Sequence, residues 1–137
     1  MLAAAFVAAG CAAQAPRQFQ LEGGEIRAPL TAQPGDAERG RALAANRERG
    51  ACVLCHAMPG EAFAGDIGPP LAGSGARLTP GMARARLVDS SLLNPYSVMP
   101  PYHRTTGLNR VAQAQAGKPV LTAQEVEDVI AWLMTLK

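Results

Sequence analysis

The sequence predicts an all-α domain of about three helices joined by long irregular loops. Three observations support this fold class. The last residues form a capped, amphipathic helical pattern, the segments between helices are rich in glycine and proline, and no stretch alternates polar and apolar residues as a strand does. The 137 residues suffice for one domain. A net charge of +2 without a basic run argues against nucleic-acid binding.

The N-terminal residues carry no charged side chain before Arg17. Residues 1–11 are typical of the end of an export signal, being too few for a transmembrane helix of about 20 apolar residues. Ala8-Ala9-Gly10-Cys11 resembles a lipoprotein signal, in which Cys11 would carry a lipid anchor; alternatively, Cys11 lies in a discarded signal. Residues 12–34 lack a sustained apolar period and predict a linker or surface arm, so the folded domain is expected over residues 35–137.

The first two helices are predicted from their N-terminal signals. Asp36 is a good N-cap for a short helix that leads to the cysteines. Thr79 and Pro80 suit the N-cap and first turn of a second helix, which ends before Asn94-Pro95. Residues 59–78 between them are rich in glycine and proline, and no regular secondary structure is expected there.

The C-terminal residues 121–137 carry the clearest helical pattern in the chain. Thr122 and Glu125 form the pattern of a capping box. An apolar stripe at helical spacing follows, made of Val126, Val129, Ile130 and Leu133. This segment is therefore predicted to be an amphipathic helix that packs against the core.

The pentapeptide Cys-Val-Leu-Cys-His at residues 52–56 indicates the chemistry of the chain. A redox dithiol would need a following helix and a βαβ surrounding, and a structural zinc would need His103 to complete its ligands. Covalent haem instead uses the whole motif: Cys52 and Cys55 form thioethers with the two vinyl groups, and His56 binds the iron. The motif therefore favours one covalently bound haem c.

The ligand on the other face of the iron is sought among the methionines and histidines. Met99 lies in a proline-flanked loop, 43 residues beyond His56, and a thioether ligand suits an electron carrier. His103 is the alternative, since imidazole also binds haem iron. The prolines of residues 68–73 would hold a carbonyl rigidly, and such a carbonyl is a candidate acceptor for the His56 N–H.

These motifs together resemble a class I cytochrome c. The resemblance rests on Gly40 in the first helix, the motif at residues 52–56, Gly68-Pro69-x-Leu71-x-Gly73, Met99, and Trp132 in the last helix. It implies a class I cytochrome c fold around the haem, in which the first and last helices cross at Gly40. It also implies that the carbonyl of Pro69 accepts the His56 N–H.

A narrower resemblance covers residues 26–137. The segments "NPYSVMPPYHRTTGLNRV" and "GKPVLTAQEVEDVIAWLMTLK" are similar to the SoxX family, the small monohaem cytochrome subunits of SoxAX complexes in sulfur-oxidising bacteria. Residues 107–119 form an extension that a minimal cytochrome lacks and that SoxX chains often have.

The resemblance to SoxX implies a periplasmic heterodimer with a SoxA-like subunit. The complex would act as an L-cysteine S-thiosulfotransferase, joining thiosulfate oxidatively to a cysteine of a SoxYZ-like carrier. The sulfur chemistry would occur on SoxA, so this chain would hold no catalytic residue and would pass the electrons to a soluble cytochrome c. Two alternatives stay open: a free-standing periplasmic cytochrome c shuttle, and a zinc or dithiol module without haem.

Overall fold

The computed structural model describes Phe19 and residues 21–137. The predicted export or lipoprotein signal at residues 1–11, with Cys11, lies outside the described residues. Within the described part the only β feature is an isolated bridge between Glu22 and Glu25. No helix in that part is long and apolar enough to cross a bilayer.

The described residues contain four α-helices, which confirms the all-α fold class. They are α1 (Ala37–Ala45), α2 (Ser74–Arg77), α3 (Pro80–Asp89) and α4 (Ala123–Thr135), with 3₁₀ turns at Cys52–Leu54, Ser90–Leu92 and Gln113–Gln115. The single turn α2 lies within the segment expected to be irregular. It forms because Gly73 adopts a left-handed φ of 72° before it, and because the Ser74 hydroxyl donates to the Leu133 carbonyl at 2.8 Å.

The three predicted helices begin at the predicted caps. Asp36 accepts the Arg39 N–H at the start of α1, and Thr79 caps α3 in the same way. At the start of α4, Thr122 and Glu125 form a complete capping box. These helix starts follow from local side-chain hydrogen bonds.

Helices α1 and α4 cross at Gly40. A Cβ at this position would overlap the backbone carbonyl of Asp128, so only glycine allows the two backbones this close. The buried Asp128 carboxylate accepts the Asp36 N–H at 2.8 Å and the Arg39 Nε–H at 2.9 Å. Burial raises the pKa of Asp128, but these hydrogen bonds outweigh it and hold the pKa below its ordinary value.

Residues 21–34 lie against α3 and α4. Ile26 is buried against Ala85 and Val88 of α3. Arg84 binds both carboxylate oxygens of Glu127 at 2.7 and 2.8 Å and donates to the Ile26 carbonyl at 2.7 Å. This arm is therefore attached to the helices through buried polar contacts; a domain boundary near residue 35 stays a prediction.

Candidate functional site

A crevice opens between the 52–56 motif, α3 and the Met99 loop. It consists of two adjoining cavities of about 260 and 560 Å³, a size typical of cofactor sites. Five residues line both cavities: Cys52, His56, Pro69, Arg86 and Met99. Cys55 lines the larger cavity. The structure thus brings all five site residues predicted from the sequence to one crevice.

His56 is oriented by the loop that faces it. Its Nδ1 lies 2.7 Å from the carbonyl oxygen of Pro69. Because a carbonyl oxygen only accepts, Nδ1 carries a proton, and in a neutral imidazole Nε2 is then the nitrogen that can bind a metal. The arrangement is the usual one for a histidine that coordinates a metal ion.

The loop with Pro69 is held to the motif by backbone hydrogen bonds. The N–H of Gly68 donates to the Cys55 carbonyl at 2.7 Å, and the N–H of Leu71 donates to the Ala57 carbonyl at 2.9 Å. A Cβ at Gly68 would overlap the imidazole of His56. The sequence did not reveal that Gly68 must lack a side chain to leave room for His56. The only signal for this is a glycine directly before two prolines.

The two cysteines are free thiols, and Cys52 is buried. Burial is the largest influence on its thiol and raises its pKa to about 11, although a hydrogen bond with Tyr102 opposes this. At neutral pH Cys52 is therefore protonated, whereas a redox dithiol needs a thiolate of low pKa. No three His, Cys, Asp or Glu side chains of the described residues cluster as metal ligands would.

Met99 is held in the crevice wall by two serines. The buried Ser90 hydroxyl donates to the Met99 carbonyl at 2.9 Å, and its oxygen accepts a hydrogen bond from the Ser97 hydroxyl at 2.8 Å. The Met99 N–H in turn donates to Ser97 Oγ at 3.3 Å. The sequence analysis did not single out these serines, because no local pattern distinguishes them from serines of an ordinary turn.

His103 lies away from the lining of both cavities. Its Nδ1 is 2.9 Å from the Leu121 carbonyl oxygen, and its ring meets the edge of Phe19 at a centroid distance of 5.8 Å. The structure therefore does not bring His103 together with His56, whereas Met99 shares both cavities with it.

The crevice fits a haem attached through two thioethers. Two thiols from one motif, an imidazole whose Nδ1 donates to the Pro69 carbonyl, and a methionine all line it. The smaller cavity has mainly apolar walls from Leu87, Trp132 and Leu133, which suit the porphyrin faces. This arrangement can hold a one-electron carrier against a mainly apolar wall.

Comparisons with known proteins agree with this geometry. The family model described as cytochrome c matches residues 37–137. Among solved structures, the chain is similar to a chain of the crystal structure of SoxXA from P. pantotrophus. The two are 34% identical with a TM-score of 0.81, and the match covers 90% of this chain and 98% of that chain. No curated protein sequence matched the chain.

Proposed function

Because the chain belongs to the cytochrome c family, and within it to the SoxX group, we propose that it is the electron-transfer subunit of a SoxAX-type complex. Family membership implies covalently bound haem c, and the chain is an electron-transfer protein. The observation that carries the proposal is the joint placement of Cys52, Cys55, His56 and Met99 in one crevice, in a chain that matches nearly the whole length of a SoxXA chain.

In the proposal the chain holds one haem. Cys52 and Cys55 would attach it, and His56 Nε2 and the Met99 thioether would bind the iron. Pro69 orients the imidazole through the Nδ1–H hydrogen bond, and Ser90 positions the methionine loop. When bound, the haem iron supplies one-electron ferric–ferrous chemistry, and a methionine ligand favours the ferrous state.

The composition of the larger cavity's rim favours a stable protein partner over a transient electron-transfer encounter. Three of its apolar side chains are largely exposed: Ile67 at 70%, Tyr96 at 91% and Val98 at 83%. Of the described residues that line this cavity, only Arg86 belongs to the Lys, Arg, Asp or Glu types. Charged rims steer transient electron-transfer encounters, whereas stable subunit interfaces are apolar with few charges. A SoxA-like subunit is therefore the proposed occupant.

The reaction of the whole complex follows from the resemblance to SoxX. The complex would oxidatively join thiosulfate to a cysteine of a SoxYZ-like carrier, as an L-cysteine S-thiosulfotransferase, in the periplasm. The sulfur chemistry would take place on the SoxA-like subunit, and this chain would relay the electrons to a soluble cytochrome c. A lipid anchor at Cys11 is not part of the proposal, because no comparison supports one.

Co-expression with a SoxA-like subunit tests the proposal. We expect the wild-type chain to co-purify with that subunit, with a mass increase of one haem after acid denaturation. Val98→Lys should abolish co-purification, because a charge would be buried at the apolar rim.

Val111→Lys is the matched control, since Val111 is also partly exposed but lies in the 107–119 extension. Two results would contradict the proposal. A wild-type chain that stays alone would favour the free-standing shuttle, and equal effects of the two variants would exclude the crevice rim as the interface.

A further inference from the structure

Arg86 has no carboxylate partner in the part of the chain that the structure describes. Six arginines there form ion pairs: Arg27, Arg39, Arg41, Arg49, Arg84 and Arg104. The Arg86 guanidinium makes one hydrogen bond, from Nη1 to the Met82 carbonyl of its own helix at 2.9 Å. Most of its N–H donors are therefore available to another acceptor.

The position of Arg86 makes this lack of a partner informative. Its side chain is half-buried and lines both cavities of the crevice. A guanidinium stays charged at every accessible pH, and a partly buried charge in an apolar cavity is unfavourable without a counter-charge. The described residues supply none here, so the counter-charge is expected from what fills the crevice.

Arg77 also lines the smaller cavity, but both of its Nη atoms already donate to backbone carbonyls. Its Nη1 donates to the Ala72 carbonyl at 2.7 Å and its Nη2 to the Pro70 carbonyl at 2.8 Å. Arg77 therefore stabilises the loop beside Pro69. Arg86, by contrast, uses only Nη1, so its Nε and Nη2 can still form the paired contact that matches a carboxylate.

We propose that Arg86 forms an ion pair with a propionate carboxylate of the bound haem. This inference rests on the proposed haem site. The ion pair neutralises charge at both partners inside the crevice and fixes the position of the propionate. Because the ferric state carries one more positive charge than the ferrous state, a guanidinium nearby also disfavours oxidation.

The test compares haem-loaded Arg86→Gln with Arg110→Gln. Arg110 is exposed, lies outside both cavity linings and has no carboxylate partner among the described residues, so its replacement removes the same charge elsewhere. We expect R86Q to lower the midpoint potential and to shift the propionate bending bands in resonance Raman spectra. R110Q should leave both at the wild-type values. Equal potentials and unchanged bands in R86Q would overturn the proposal.

Arg86→Lys is a second variant that tests the ion pair if R86Q does not retain its haem. Lysine keeps the charge but not the fork of donors. A potential near that of the wild type with shifted propionate bands would support the ion pair, and unchanged bands would overturn it.

The mass of each acid-denatured protein separates this inference from the proposed function. A wild-type chain without attached haem would refute the proposed function, whereas haem-bearing variants with wild-type potentials and bands refute only the ion pair.

Discussion

The crossing of α1 and α4 differs from the crevice because the protein itself fills the space there and supplies the hydrogen-bond partners. At the crossing, the Asp128 carboxylate accepts donors from α1 and the backbones meet at Gly40 without a gap. The crevice holds cavities of about 260 and 560 Å³ and a cation, Arg86, without a carboxylate partner among the described residues. Protein interiors are close-packed, so cavities of this size in the described core mark the place of a ligand.

Two arginines of α3 show the same difference at close range. Arg84 faces α4, where both oxygens of Glu127 bind its guanidinium. Arg86 is two positions further along and faces the crevice, where it has no such partner in the described chain. One face of this helix is thus completed by the protein, and in our proposal the haem completes the other. Removing the haem should therefore affect the two regions unequally.

The largest effect is expected when the haem attachment is removed. Cys52→Ala combined with Cys55→Ala should give a chain without covalent haem, in which residues 59–78 lose the surface they pack against. We expect the cooperative unfolding transition to disappear, since binding energy at such a site contributes to folding. Circular dichroism during thermal unfolding and the mass of the acid-denatured protein measure both effects.

Cys11→Ala is the control for that double variant, because Cys11 lies outside the described residues and the haem motif. It should keep both the haem mass and the cooperative transition. A cooperative transition in the double variant would show that the crevice, like the crossing, is complete without haem.

The crossing is tested by Gly40→Val. A side chain there would overlap the Asp128 carbonyl, so we expect the free energy of unfolding to fall by about 3 kcal/mol. Ala42→Val on the exposed side of α1 places the same residue in the same helix and should cost less than about 1 kcal/mol. Denaturant titration of both proteins gives the difference. Similar losses would mean that the close approach at Gly40 does not limit the fold.

The smallest effect is expected when the proposed iron ligand Met99 is replaced, because only the properties of the haem iron should change. Met99→Ala should lower the midpoint potential by roughly 100 mV, within the ~0.8 V range over which axial ligands set haem potentials. The optical signature of thioether ligation should vanish while the chain stays folded. His103→Ala is the matched variant, since His103 lines neither cavity, and it should keep that signature. The reverse pattern would assign the iron ligand to His103.

Much of the fold could be predicted from local patterns. Asp36, Thr79 and the Thr122–Glu125 capping box act over three residues, so the sequence shows them directly. The turn α2 could not be predicted in this way. It depends on the Ser74 hydroxyl reaching the Leu133 carbonyl, 59 residues away in the chain. Contacts of that span leave no periodic pattern in the sequence.

By itself the sequence determined the attachment motif and the helix starts. The chemistry of residues 52–56 lies within five adjacent residues, and helix caps are equally local. Only the tertiary structure decided which side chains share the crevice. It places Met99 in the same cavities as His56, and it places His103 against Leu121. It also leaves Arg86 without a carboxylate partner among the described residues, while Arg84 binds Glu127. The physical reason is that a side chain's direction, and so its partner, is set by how distant segments pack.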